Sequence, residues 1–549
     1  MRTICLLIAF LGLASGQERV ISGAVRDAAG GAVAGAVVRL QSTALKTNTD
    51  LQGRFRLANL PSQPLFALTA FAPGYYIAGP VQARAGDSAI SFLLRKHPAE
   101  DHPGYEWVSA LASAGEAGNC QNCHSQPGEP LSLLPFDEWQ RDAHGTSARN
   151  RRFLSMYNGT DLSGENRSPL TRFFNHKDYG PVPVPPDPNL PYYGPGFKLD
   201  FPNSAGDCAA CHLPAAAHRA PYDTDPNTVS GVGREGVACD LCHKTWSVRT
   251  NPATGLPYPN TPGVLSMDFR RPPPGEQLFL GPYDDVAPGD DSQSALQNQS
   301  RICAPCHFAR FWGVQVYNSF GEWMDSPYSD PETGKTCQDC HMPRRGATRF
   351  VRADKGALNR DPATVFSHLM PGAADVELLR DTAGLRLEAW REGPDVRVYV
   401  VVSNEKAGHH MPTDHPARNM LLVVTAAGVG GEQLPLVWGP LIPDWGGKGD
   451  ASDDYAGRPG KGYAKILEEL WTEVSPTAAY WNPCVIREDT RIPALATDLA
   501  NFGFRSPPGG GPVTVAARLI FRRAFKSLRV QKGWDSPDIL MNEAAVVVR

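Results

Sequence analysis

Three stretches of different pattern succeed one another along the 549 residues. From 18 to 97, apolar and polar positions alternate over short runs, the period of half-buried strands. Arg19-Val20-Ile21-Ser22-Gly23-Ala24-Val25 leads to a turn at Asp27-Ala-Ala-Gly30-Gly31, and Ala36-Val37-Val38-Arg39-Leu40 follows. Thr49-Asp50-Leu-Gln-Gly53 marks another turn, Phe55 and Leu57 alternate with arginines, and Leu65-Phe66-Ala67-Leu68 ends the set. From 103 to 375 no period is sustained, which predicts short helices separated by loops. From 380 to 549 the pattern turns β-like again, with strands at 396–402, 421–424 and 513–520 and one helix at 463–471. The fold class is therefore multidomain: an N-terminal β-sandwich, a central mainly α and irregular core, and a C-terminal mostly β domain.

One segment is continuously apolar. Arg2 is followed by Ile4-Cys5-Leu6-Leu7-Ile8-Ala9-Phe10-Leu11-Gly12-Leu13 and then by Ala14-Ser15-Gly16. A basic start, a short apolar core and small residues before the cut read as a secretory signal peptide, residues 1–16. Its core is too short to stay as a comfortable membrane span. Gln17 stands where a lipid-bearing Cys would be needed. The chain is expected in the periplasm or at the cell surface, with no transmembrane segment once the leader is cut.

Composition narrows the function. With 53 Lys and Arg against 57 Asp and Glu, the formal charge is −4, which excludes a strong basic field for nucleic acid. The 53 Gly and 50 Pro predict long irregular connections rather than a helical repeat. The run Pro181-Val-Pro-Val-Pro-Pro-Asp-Pro188 is polyproline-like.

The cysteines carry the chemistry. Ten of the 12 fall into five Cys-x-x-Cys pairs, each followed at once by His. The five are Cys120-Gln-Asn-Cys123-His124, Cys208-Ala-Ala-Cys211-His212, Cys239-Asp-Leu-Cys242-His243, Cys303-Ala-Pro-Cys306-His307 and Cys337-Gln-Asp-Cys340-His341. This is the c-type haem attachment motif: two thiols form thioethers to the porphyrin vinyl groups and the adjacent imidazole reaches the iron. Tetrahedral zinc does not require a His after every pair. Disulfides are the weaker alternative, because after leader cleavage only Cys484 lies outside the motifs. Cys484 reads as a buried small hydrophobe. Five covalently bound haem c groups, each with one iron, are expected. The span from Cys120 to His341 leaves too few residues per haem for separate domains, so the haems must pack together and supply much of the core.

Residues 105–420 thus resemble the multihaem c-type cytochromes, specifically a pentahaem member. The resemblance also rests on Glu138-Trp139-Gln-Arg-Asp-Ala-His144, Glu235-Gly236-Val-Ala-Cys239, Cys337-Gln-Asp-Cys340-His341-Met342-Pro343 and Gly408-His409-His410-Met411-Pro412-Thr413. The order Gly23-x-Val25, Gly35-Ala36-x-Val38, Thr49-Asp50-x-x-Gly53-x-Phe55 and Pro73-Gly74-Tyr75 resembles a carboxypeptidase regulatory-like domain. That resemblance implies a non-catalytic spacer or docking module.

Nine histidines lie outside the motifs, enough to give each iron a second axial ligand. The candidates are His144, one of His409 and His410, His368, His218 and His176. His409 is the choice for iron, with Gly408 allowing close approach to a porphyrin and His410 turning to a propionate or carbonyl. His97, His102 and His415 read as surface or linker residues. Met342 and Met411 read as packing against haem faces. The acidic run Asp284-Asp285 to Asp290-Asp291 reads as a solvated loop before a Ca²⁺ site.

Two functions remain open at this point. The first is an exported carrier passing electrons along closely packed, mostly bis-His haems between redox protein partners. The alternative is a multihaem oxidoreductase acting on a small nitrogen or sulfur compound at one five-coordinate haem. In the class resembled, catalytic haems are often marked by Lys in place of the motif His, and all five motifs here end in His. A third, conducting polymer would self-assemble through haem or β-domain contacts.

Overall fold

The computed structural model describes residues 19–112, 119–129, 131–286 and 289–549. The leader reading at 1–16 lies outside them. The chain divides into two compact units, one of residues up to 104 with 270–294, the other of 105–269 with 295–549.

The first unit is a two-sheet sandwich. Ile21–Asp27 lies between Arg54–Leu57, antiparallel, and Ile90–Leu94, parallel. The facing sheet runs Lys46–Asn48, Val37–Leu40, Phe66–Phe71, Ala78–Ala83. The alternation read from the sequence sends Ile21, Val25, Val38, Leu57, Phe66, Leu68 and Phe92 inward. Each such side chain contributes about 1.5–3 kcal/mol by leaving water. The motif residues have separate tasks. Asp50 Oδ1 accepts from Gln52 N and Arg54 N, at 2.9 and 2.8 Å, to form the turn that Gly53 completes at φ +72°. A Cβ on Gly23 would stand 1.9 Å from Ile90 O, so only glycine lets these two strands approach.

Residues 270–294 belong to this unit, not to the remainder of the haem-motif segment. Phe279–Gly281 pairs with Asp291–Gln293, and Leu278 and Leu280 pack on Tyr76. Asp284 and Asp285, at the start of the acidic run, are correspondingly held by partners, while Asp290 stays exposed. Asp284 receives both a 2.5 and a 2.8 Å bond from Arg39, and Asp285, 2% exposed, accepts from Ser42 N. His97, read as surface or linker, is buried against Tyr76.

The second unit ends in a larger antiparallel sandwich. One sheet has the order Ala383–Glu392, Asp395–Asn404, Thr497–Arg505, Leu436–Trp438. The other has Cys484–Asp489, Gly460–Glu469, Asn419–Ala427, Val513–Arg522, Ile539–Val548. The helix expected at 463–471 is instead the strand Gly460–Glu469. Both of its faces are covered: Tyr463 enters the sandwich core, while Ala464 and Ile466 pack with Phe525, Leu528, Trp534 and Met156. A strand buried on both sides loses its alternation and reads like an apolar helix segment. Met411 also enters this core, 4% exposed and bridged to Ile492. Cys484 is buried with Val316 and Leu467, as the sequence suggests.

The segment before this sandwich has little regular structure. Its longest helix, Arg151–Asn158, is capped by Asn150 and closed by Gly159 at φ +71°. The first part of the proline run forms a hairpin, Phe173–His176 with Gly180–Pro183. No helix among the described residues is long and apolar enough to cross a membrane.

Candidate haem centre

Every motif ends in a short helix: Gln121–His124, Cys208–His212, Cys239–Lys244, Ala304–His307 and Cys337–His341. The spacing explains why. On a helical turn, positions i, i+3 and i+4 share one face, so a helix presents both thiols and the imidazole together. Thr336 caps the last of these helices in a reciprocal capping box with Asp339.

The five motifs lie together. The Cys120 thiol lies beside that of Cys239, Cys211 beside Cys306, and Cys303 beside Cys337. Burial pushes the Cys208 and Cys242 thiols up to about 12, yet both residues remain partly reached by solvent. Deep but solvent-reached thiols beside an imidazole suit attachment of a large planar group. None of the 11 described cysteines forms a disulfide.

Two pairs of imidazoles have a spacing that fits iron between them. His144 and His307 have ring centres 6.3 Å apart with planes at 66°. His341 and His409 have centres 6.3 Å apart with planes at 14°. A metal between two imidazoles, with metal–nitrogen bonds of about 2 Å and about 1.1 Å from nitrogen to ring centre, sets the centres about 6.2 Å apart. In all four rings Nδ1 is already engaged. His144 Nδ1 lies 2.7 Å from Asp142 Oδ1, and His307 Nδ1 2.8 Å from Asp414 Oδ2. His341 Nδ1 lies 2.7 Å from Pro371 O, and His409 Nδ1 3.0 Å from His410 O. Such contacts fix the ring and leave Nε2 for a metal.

The other candidates are placed as follows. His368 is half-buried, desolvation pushes its pKa down to about 3, and it neighbours His243 and His124. Its backbone N–H donates to Glu138 Oε2 at 2.7 Å, so the Glu138-Trp139 motif positions the His368 loop. His124 turns Nδ1 to Phe350 O at 2.6 Å, and His212 stacks on Phe153 with centres 3.8 Å apart. His410 faces a different way from His409: its backbone N–H donates to Glu322 Oε2, and its Nδ1 lies 3.8 Å from Glu322 Oε1. Gly408 packs on Trp323 and Tyr328, so its small size serves those aromatic neighbours. His218 packs against Trp107, with Nδ1 2.7 Å from Ala215 O. His176 sits on the proline hairpin beside Tyr179 and Trp471.

The sequence reading misplaced His415. It is not a surface residue: burial pushes its pKa down to about 3, it packs on Tyr317 and Tyr480, and it neighbours His212. Asp414, the contact of His307, was also missed. The loop 409–415 therefore reaches the second, fourth and fifth motifs through His415, Asp414 and His409. The string Thr413-Asp414-His415 was the available signal, since a carboxylate beside a histidine in a His-rich loop is typical of metal surroundings.

Residues 20–93 match the carboxypeptidase regulatory-like domain family. No curated protein matches the chain in sequence. Among solved structures, the chain is similar to a penta-heme cytochrome c552 from Thermochromatium tepidum, with a TM-score of 0.52 over 80% of this chain and 100% of that one. The identity is 19%, so the likeness is one of fold.

Proposed function

We propose that this is an exported pentahaem c-type cytochrome that carries electrons between redox protein partners in the periplasm or at the cell surface. The observation that carries the reading is that two pairs of imidazoles, His144 with His307 and His341 with His409, have ring centres 6.3 Å apart, the spacing that one iron would set. When bound, haem supplies a one-electron ferric–ferrous couple.

The protein's own residues set how that couple is held. The motif cysteines would anchor each group, and each motif histidine would supply one imidazole ligand to its iron. His144 and His409 would supply the second imidazole for the fourth and fifth motifs. His415 is assigned to the second motif, and His368 to the first or third. Where a second imidazole is supplied, the metal would have no site for water or substrate, which favours electron transfer over chemistry at iron. Contact between thiols of different motifs supports closely packed groups. The likeness in fold to a penta-heme cytochrome supports the same reading.

The experiment is the intact mass of protein recovered from the periplasm or medium after acid extraction. Five haem increments on the leader-cleaved chain are expected, and a smaller increment overturns the count. Expression without the haem-attachment machinery is expected to leave the segment around the motifs unfolded.

A further inference from the structure

We infer that Asp142 and Asp414 act together as positioning residues that lower the reduction potential of the haem held by His144 and His307, placing it below the haem held by His341 and His409. The inference rests on the axial assignments proposed above.

The two pairs differ at their Nδ1 contacts, while the Asp414 and Glu322 charges also lie near His341 and His409. Their ring centres are equally spaced, at 6.3 Å, and all four rings use Nδ1 in a contact. The partners differ. In the His341–His409 pair both are neutral backbone carbonyls, of Pro371 and His410. In the His144–His307 pair both are carboxylates, Asp142 at 2.7 Å and Asp414 at 2.8 Å. A carboxylate accepting the Nδ1 proton makes the imidazole a stronger donor, and its charge favours the more positive ferric state. The step concerned is the gain of one electron by ferric iron from a neighbouring ferrous haem, with no proton transferred.

Both carboxylates are held in place for this. Asp142 Oδ1 also accepts from the His144 backbone N–H at 2.8 Å. Asp414 Oδ1 accepts from Ser319 Oγ at 2.7 Å. Asp414 adopts a left-handed backbone, φ +62°, a conformation uncommon for a non-glycine residue and concentrated where function needs a side chain aimed. The location matters too. Thiols of the fourth motif lie beside those of the second, at Cys306 and Cys211, and of the fifth, at Cys303 and Cys337. The low-potential group thus lies at a junction between neighbours.

Stepwise reduction of the oxidised holoprotein, followed by paramagnetic resonance, tests this without any substitution. Ligand planes at 66° give ferric iron a more anisotropic low-spin signal than planes at 14°, so the two centres are distinguishable. The crossed-plane signal is expected to persist to lower potential. If it disappears with the near-parallel signal or before it, the inference is overturned. Asp142→Asn and Asp414→Asn are each expected to raise the reduced-to-oxidised ratio of that centre about tenfold at fixed potential, a shift of about 59 mV. Asp142→Glu and Asp414→Glu keep the charge and are expected to retain most of the low potential. No shift in either Asn variant overturns the inference. His144→Ala separates the two failures: if every centre stays low-spin, the axial assignment is what fails.

Discussion

His341 and His409 face each other with ring planes within 14° of parallel, although one belongs to the last motif helix and the other to a loop of the C-terminal sandwich. The loop is built to hold that position. The strand Asp395–Asn404 ends at Asn404, whose side-chain amide donates to His409 O at 2.8 Å. Glu322 accepts from His410 N and from Thr413 Oγ1. The sandwich is thereby part of the proposed haem centre.

His409→Ala is expected to convert one haem to a high-spin form that binds carbon monoxide after reduction, leaving the other four unchanged. His410→Ala should leave all five low-spin, because its ring faces Glu322. Optical spectra of the reduced proteins with and without carbon monoxide check both.

His415→Ala should likewise open one haem, the one attached at Cys208 and Cys211, since His415 neighbours His212. A double variant with His409→Ala should open two. Counting carbon monoxide bound per chain distinguishes one from two.

Glu322 and Arg491 form a 2.7 Å ion pair with side chains 2% and 5% exposed. Removing one partner strands a buried charge, at a cost of about 3–5 kcal/mol. Arg491→Met should therefore lower the unfolding temperature and loosen the 409–415 loop. Calorimetry and the low-spin signal measured on the same sample report the two effects.

Asp453 gives a prediction for acid. Burial opposes its charge, but bonds from Lys526 and Arg529 outweigh this and hold its pKa down to about 2, against about 3.9 for an unfolded aspartate. A depressed carboxylate stabilises the fold fully above its unfolded value, and that contribution is lost as pH falls from about 4 through about 2. Asp453→Asn should flatten the fall in unfolding temperature across that window. Its docking partner, the helix Lys526–Lys532, should be the element released.

Much of this molecule was legible because its signals are local. The alternation of Val396, Val398, Val400 and Val402 gave a strand, and all four are buried on one face. The turn at Asp50 and Gly53 was visible because its geometry depends on those two residue types. The tertiary features were not legible. The strand Gly460–Glu469 hid its period by packing on both faces. His415 looked like a linker residue because its burial depends on Tyr317 and Tyr480, distant in sequence. Asp285 looked solvated because the segment it caps, Gln41 and Ser42, lies more than 240 residues away. Of the adjacent pair His409 and His410, local pattern suggested only that one would turn away; Glu322 decides which.

In the proposed five-haem carrier, His144, His409, His415 and His368 would serve four of the irons as second ligands, and His218 or His176 remains the candidate for the fifth, so that no iron stands open to substrate. Quantitative paramagnetic resonance of the fully oxidised holoprotein tests this most directly. Five low-spin ferric centres per chain, with no high-spin signal, is the result predicted. A persistent high-spin signal amounting to one iron per chain would contradict it and would mark a haem open to substrate.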